Sequence, residues 1–248
     1  MVETPTPLAL SIVIPVYNGA ASIGELVAAL EGLDVPGGHE IVLVNDGSPD
    51  NSLAVCRELV ARATIPITLI DHARNYGEHN AVMTGLRHAR GAHVITMDDD
   101  LQNPPEEVVK LLHKLEEGFD VVYGSPEALQ HGLWRNLASR LAKFTLQRVM
   151  GVPNATRASA FRLFRTRLRD AFAEYHNPFV SIDALLTYGT RDFGAVAVRQ
   201  DSRRVGQSNY TLGKLMLHML NMFTSFSAFP LRLASMIGFS MTAFGMAL

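Results

Sequence analysis

The chain has 248 residues, 48% of them hydrophobic and 19% charged, with a net charge of −2. That composition supports a sizeable core and excludes a disordered chain, and the length fits one large α/β domain or two small ones. The single cysteine, Cys56, excludes an internal disulfide and points to a reducing compartment. The near-neutral total conceals a division. Residues 1–131 carry 7 Lys/Arg against 19 Asp/Glu, whereas residues 132–248 carry 15 against 5. The second half therefore suits an anionic surface, either a membrane or phosphate groups. No aromatic-interleaved basic motif accompanies the charge, so nucleic acid is not an expected partner. Residues 1–8 lack a basic segment followed by a long apolar one, so no secretory signal is expected.

In chain order, Leu10–Val16 reads as a short buried parallel strand, followed by the loop Tyr17-Asn18-Gly19. Ser22 and Glu25 have the spacing of a capping box for a helix to Leu30. His39–Asn45 is a second strand. The turn cluster from Asp46 to Ser52 leads into a helix over Leu53–Ala63. Ile67–Ile70 is a third strand, Arg74-Asn75-Tyr76-Gly77 a polar loop, and Glu78–Ala89 a helix. Ala92–Met97 is a fourth strand that ends in three consecutive carboxylates, Asp98, Asp99 and Asp100. Asn103, Pro104 and Glu106 then predict a capped helix over Pro104–Glu116, and Asp120–Gly124 a fifth strand. Strands alternating with helices at this spacing predict a mainly parallel, doubly wound α/β sheet. Its polar loops at Tyr17-Asn18, Asp46-Gly47-Ser48 and Asp98-Asp99-Asp100 then share one edge, where such sheets bind ligands. Hard carboxylate oxygens there suit Mg²⁺ or Mn²⁺ shared with a phosphate. No Gly-x-Gly-x-x-Gly follows the first strand and there is no Walker lysine loop, which argues against dinucleotide binding and P-loop chemistry.

Beyond Gly124 the pattern changes. Gly132–Met150 reads as a basic helix with Arg135, Arg140, Lys143 and Arg148. Phe161–Phe164 is a short apolar piece, Pro178–Tyr188 a helix, Gly194–Gln200 a strand and Arg203–Tyr210 a basic polar loop. From Leu212 to Phe226, Met, Leu and Phe recur at helical spacing, as in a core helix or an amphipathic helix lying on a membrane. Leu233–Leu248 is a run of sixteen uncharged residues, against the ~20 that a bilayer span needs. It reads as a terminal core helix or the start of a transmembrane segment. The basic half and the Met/Phe helix leading into it favour the second. The domain expectation is thus a catalytic domain over 1–211, juxtamembrane helices over 212–230 and the start of a membrane segment over 231–248.

Several stretches together resemble family 2 glycosyltransferases of the GT-A fold. They are Ile12-Val13-Ile14-Pro15-Val16-Tyr17-Asn18, Val44-Asn45-Asp46-Gly47-Ser48-Pro49-Asp50, Arg74-Asn75-Tyr76-Gly77, and Asp98 through Glu106. Further on come Phe161-Arg162-Leu163, Arg203 through Tyr210, and Thr224 through Arg232. Within that family the chain looks like the membrane enzymes that load a sugar onto a polyprenyl phosphate. The resemblance implies an inverting transfer from a UDP- or GDP-sugar, with the catalytic domain on the cytoplasmic face of the membrane; homo-oligomerisation is left open. It implies that Pro15, Tyr17, Asn18, Val44 and Asp46, with Arg74, Gly77 and Asp99, line the nucleotide pocket. Asp98 and Asp100 would form a D-x-D pair, with Gln102 beside the metal. Arg135 and Arg203 would reach phosphates.

Three positions depart from the family pattern: Pro126 after Ser125, Asn209, and Ala160 where relatives carry a carboxylate before Phe-Arg-Leu. The last removes an obvious general base. A phosphate monoester needs none, because its second pKa of about 6 leaves it mostly dianionic at neutral pH. A sugar hydroxyl acceptor would need one, with Asp99 or Asp183 as the candidates. Two alternatives stay open: a transferase acting on a sugar hydroxyl, and a non-catalytic nucleotide-sugar-binding module.

Overall fold

The computed structural model describes residues 8–126, 158–201 and 229–247. The elements in order are β1 (Leu10–Val16), α1 (Ile23–Glu31), β2 (His39–Asn45), α2 (Ser52–Arg62), β3 (Ile67–Asp71), α3 (Glu78–His88), β4 (His93–Thr96), α4 (Glu107–Glu116) and β5 (Val121–Pro126). Then follow β6 (Arg162–Arg165), a 3₁₀ helix (Thr166–Phe172), α5 (Ile182–Gly189), β7 (Phe193–Val198) and α6 (Phe229–Ala247). The seven strands form one sheet in the order β3-β2-β1-β4-β6-β5-β7. All neighbours are parallel except β6, which runs antiparallel to both β4 and β5. The expected α/β layering and its first five strands are therefore present. The apolar piece at Phe161–Phe164 becomes the antiparallel strand, and nothing in a four-residue run states its direction.

The strands are apolar because both faces are covered. Every residue of β2 is buried. Alternate residues of β1 and β2 (Ile12, Ile14, Ile41, Leu43) join Leu26, Leu30, Val108 and Leu111 in one core. The helices bury one stripe each: Ile23, Leu26, Val27 and Leu30 in α1, and Val108, Leu111 and Leu115 in α4. The chain divides into two compact units. The first takes Met1–His131 with Arg157–Gln207 and contains the sheet. The second takes Gly132–Thr156 with Ser208–Leu248.

Pro15 explains how the sheet opens. Met97 N–H donates to the Val13 carbonyl at 3.2 Å, so Val13 turns its polar groups towards β4. In an extended strand this alternates, and Pro15 faces the same side. The β1–β4 ladder runs only from Leu10↔His93 to Val13↔Thr96. The residue without an N–H thus falls where β4 has left, and no ladder bond is lost. β1 has β2 on one side and β4 on the other, the switch point at which open α/β sheets form a crevice.

The helix starts depart from the expected caps. Ser22 precedes α1 but makes no side-chain cap bond; its hydroxyl donates to the Gly19 carbonyl at 3.3 Å instead. The expected start of α4 at Pro104 is a tighter turn, with Glu107 N–H on the Pro104 carbonyl (3.0 Å) and Val108 N–H on the Pro105 carbonyl (3.0 Å). The helix begins at Glu107, and Glu106 makes no capping bond. The expected basic helix at 132–150 and the Met/Phe helix at 212–226 lie outside the described residues. α6 covers most of the expected membrane segment. Among the described residues, no helix is long and apolar enough to cross a membrane.

At the amino edge the sheet is stapled by a buried carboxylate. Glu40, fully buried on β2, accepts from Ser11 Oγ (2.7 Å), Arg90 N–H (2.7 Å) and Arg90 Nε (2.7 Å). Ser11 Oγ in turn accepts from Gly91 N–H at 2.8 Å. One side chain thereby joins β1, β2 and the turn into β4. Glu40→Ala orphans these donors in the core and is expected to lower unfolding free energy by about 3 kcal/mol in urea titrations. Burial, followed by the carboxylates of Asp99 and Asp50, pushes the Cys56 thiol up to about 11. It is fully buried on α2. At pH 7.5 it is expected to stay unreactive towards Ellman's reagent until denaturant is added.

Candidate active site

Three loops gather at the carboxyl edge of the sheet, and side chains of the second fix the backbone of the first. In the loop between β2 and α2, Ser48 Oγ accepts from Asn18 N–H (3.3 Å), Ser52 Oγ from Gly19 N–H (2.9 Å) and Asp50 Oδ2 from Ala20 N–H (3.3 Å). The run Asp46–Ser52 is therefore more than a turn: it satisfies the amides of the neighbouring loop. Asn18 stands at φ 57°, a conformation that asparagine tolerates. Tyr17 beside it is exposed. Asp99 Oδ2 accepts from Tyr17 N–H at 3.3 Å and so ties the acidic loop to the first. A side chain at Gly19 would collide with that carboxylate.

Asp46 organises the third loop. It is 2% exposed. Its Oδ1 accepts from Tyr76 N–H (2.9 Å) and pairs with His72 Nδ1 (2.8 Å), while Oδ2 accepts from Gly77 N–H (2.8 Å). His72 Nε2 reaches Thr84 Oγ1 on α3 at 3.0 Å. The structure thus buries Asp46 at the end of β2, where it shapes the Arg74–Gly77 loop. Gly47, at φ 61°, passes so close to Arg74 and Asn75 that a Cβ would strike their backbone. Val44 is fully buried, and a Cβ on Gly85 of α3 would stand 3.3 Å from it. Arg74 is exposed, with its guanidinium 4.6 Å above the half-exposed Tyr76 ring.

The acidic loop follows β4. Asp98 is half-buried and Asp100 buried. Burial, then the carboxylates of Glu78, Asp100 and Asp99, raise Asp98 to about 7, with Arg162 pulling the other way. Asp100 Oδ1 accepts from Gln102 N–H at 3.1 Å. Leu101 turns the loop at φ 60°, which costs on the order of 1 kcal/mol for a side chain with a Cβ. Its side chain packs on the core, which holds the turn. Asp98, Asp100 and Gln102 thus stand together as expected. Among the described residues, no three His, Cys, Asp or Glu side chains could hold a metal by themselves. A carboxylate such as Asp98, crowded by others and resisting ionisation, fits a divalent cation whose other ligands are phosphate oxygens and water.

A second cluster lies beside it. Arg162 opens β6 and pairs with Thr96, two residues before Asp98. Its guanidinium is buried, with Nη1 2.7 Å from Asp183 Oδ1. Tyr123 Oη, from β5, donates to that same oxygen at 2.8 Å. Burial alone would weaken the charge on Arg162. Asp183, then Tyr123, Glu78 and Asp98, more than offset this, so its pKa is raised. The same burial and Asp183 drive the Tyr123 phenol well above its ordinary value. At the position of the missing carboxylate, the Ala160 carbonyl accepts from Thr96 Oγ1 at 2.6 Å.

The edge therefore brings together Pro15, Tyr17, Asn18, Arg74, Gly77, Asp98, Asp99, Asp100, Gln102 and Asp183. Arg135 and Arg203 lie outside the described residues. Arg162, within the Phe161-Arg162-Leu163 stretch, is an ion-pair residue. Tyr123 and Glu78 went unnoticed. The one signal for Tyr123 was a hydroxyl inside an otherwise apolar strand.

Residues 11–172 match the model of the family described as glycosyl transferase family 2. The chain is 37% identical over 238 residues to the undecaprenyl-phosphate 4-deoxy-4-formamido-L-arabinose transferase of Shewanella sediminis, covering 95% of this chain and 72% of that protein. It is 38% identical over 240 residues to the protein of the same name from Pseudomonas syringae pv. syringae, covering 95% and 71%. Its fold is similar to that of glucosyl-3-phosphoglycerate synthase from Mycobacterium tuberculosis, solved with Mn²⁺, UDP and glucosyl-3-phosphoglycerate. There the TM-score is 0.64 at 18% identity, over 86% of this chain and 77% of that one. By sequence and by its GT-A-like, mostly parallel sheet, the chain belongs to glycosyl transferase family 2 and is a glycosyltransferase.

Proposed function

We propose that the protein transfers a sugar, with inversion, from a UDP- or GDP-sugar to a polyprenyl phosphate at the cytoplasmic face of a membrane. The relatives at 37% and 38% identity are named for undecaprenyl phosphate as acceptor. The observation in this chain that supports the acceptor class is that no carboxylate stands just before Phe161-Arg162-Leu163. Ala160 stands where a carboxylate would, with its carbonyl taken by Thr96. Asp183 Oδ1 is engaged by Arg162 and Tyr123, and Asp99 Oδ2 by Tyr17. A phosphate nucleophile is already deprotonated at neutral pH and requires none of them.

In this reading Tyr17 and Asn18 border the nucleoside, with Arg74 and Tyr76 at its far end. Asp98 and Asp100, with Gln102 nearby, hold Mg²⁺ or Mn²⁺. The cation supplies neutralisation of the negative charge that develops on the departing diphosphate. The charge balance supports that assignment, since among the described residues three carboxylates, Glu78, Asp99 and Asp100, act on Asp98 against one buried guanidinium. Arg135 and Arg203 are assigned to donor or acceptor phosphates on the resemblance alone.

Membrane association is supported by the tail. On α6, Leu231, Met236, Phe239, Met241, Phe244 and Met246 are each at least 67% exposed. Fifteen of the 20 charges in residues 132–248 are positive. An exposed apolar helix in a half of the chain rich in positive charge suits an anionic bilayer.

Detergent-purified protein is expected to form labelled lipid when given undecaprenyl phosphate, a labelled UDP- or GDP-sugar and Mn²⁺. Labelling of a free sugar acceptor in place of the lipid would overturn the acceptor assignment. EDTA is expected to abolish turnover, with Mn²⁺ or Mg²⁺ restoring it. Asp98→Asn is expected to lower kcat by at least about 100-fold at unchanged thermal stability.

A further inference from the structure

The order of strands along the carboxyl edge sets the direction in which a donor lies, and this bears on Asp183. The loops assigned to the nucleoside follow β3, β2 and β1. The carboxylates assigned to the diphosphate follow β4. The next strand is β6, which begins at Arg162, and beyond it lie β5 with Tyr123 and the first turn of α5 with Asp183. A nucleotide sugar laid from β2 across β4 therefore carries its sugar onto the Arg162–Asp183 cluster.

That cluster is built to hold one oxygen still. Asp183 is about one-sixth exposed. Tyr123 Oη and Arg162 Nη1 both donate to Oδ1, which leaves Oδ2 with no hydrogen-bond partner among the described residues. Tyr123 and Arg162 are themselves fixed. Tyr123 is fully buried and stacked on Phe193 at 6.1 Å between ring centroids. Arg162 is 2% exposed, and its Nε is 3.4 Å from the Ala160 carbonyl. A carboxylate with one oxygen saturated and neutralised offers a single directed acceptor, suited to a hydroxyl and not to a second cation.

We propose that Tyr123 and Arg162 are positioning residues that hold Asp183 as the hydrogen-bond acceptor for a hydroxyl of the donor's sugar. The proposal rests on the nucleotide-sugar reading above. It gives Asp183 a binding role in place of the general-base role that a phosphate acceptor does not need. Arg162 has a second consequence: its charge prevents a buried carboxylate from repelling the incoming phosphate.

The test compares binding of a nucleotide with and without its sugar. Calorimetry is performed on the full chain in detergent with Mn²⁺, using UDP, UDP-glucose, GDP and GDP-mannose. Tyr123→Phe keeps the ring and its stacking, so it is the informative variant; Arg162→Met leaves carboxylates uncompensated and is not relied upon to fold. For whichever nucleotide binds, Tyr123→Phe and Asp183→Asn are expected to leave affinity for the diphosphate unchanged. Both are expected to weaken affinity for the nucleotide sugar about tenfold. Arg162→Lys is expected to retain more of the sugar contribution than Arg162→Gln. A merely structural role would lower the melting temperature of Tyr123→Phe and weaken both ligands alike. Equal losses for nucleotide and nucleotide sugar, or no loss in either variant, overturn the proposal. If the wild-type protein binds neither nucleotide, the donor reading fails and the proposal falls with it.

Discussion

The carboxylate of Asp46 is the contact on which the loops at the β1–β3 end of the crevice depend. It is buried at the end of β2 and spends both oxygens on the β3–α3 connection, two backbone N–H groups and one imidazole. A parallel sheet brings its strand ends to one edge, but the loops there have no ladder partners of their own. Here side chains replace the ladder. Asp46 holds the third loop, Ser48, Asp50 and Ser52 hold the first, and Asp99 ties the first to the acidic loop. Residues that look like ligand contacts in the sequence are in several cases the scaffold that sets the contacts in place.

Charge is arranged by the same economy. Asp98 lies among Glu78, Asp99 and Asp100, and among the described residues the cation that acts on it is the buried Arg162. Arg162 is itself committed to Asp183. Such a cluster is tolerated in a folded protein when a ligand completes it. The antiparallel strand β6 is what brings Arg162 there. A seventh parallel strand would have delivered its amino end to the opposite edge of the sheet. The reversal brings Arg162 to the end of β4, where it also holds its partner Asp183.

Much of this was legible in advance where the local rule and the tertiary fold agree. Strands β1 and β2 coincide with apolar runs because both faces are covered, so burial leaves an unbroken signal. The Asp98-x-Asp100 spacing was visible because three consecutive carboxylates after an apolar run have no use in a core. The caps at Ser22 and Glu106 failed for a definite reason. Ser22 found a nearer acceptor in the Gly19 carbonyl, and the chain after Pro104 closed a tighter turn before the α-helix began. Capping spacing proposes a bond; local backbone geometry chooses among competing ones.

The amino-acid sequence by itself determined the α/β class, the polar strand ends, the acidic pair and the family, since each is carried by residues close together in the chain. Tertiary structure alone decided which residues at the carboxyl edge face solvent and which face the protein. Asp46 and Val44 went inside, Tyr17 and Arg74 stayed out, and Tyr123, Arg162 and Asp183 met across 60 positions of sequence. The physical reason is that a hydrogen bond between distant residues leaves no periodic trace in a sequence. It exists only once strand order and strand direction have brought its two ends together.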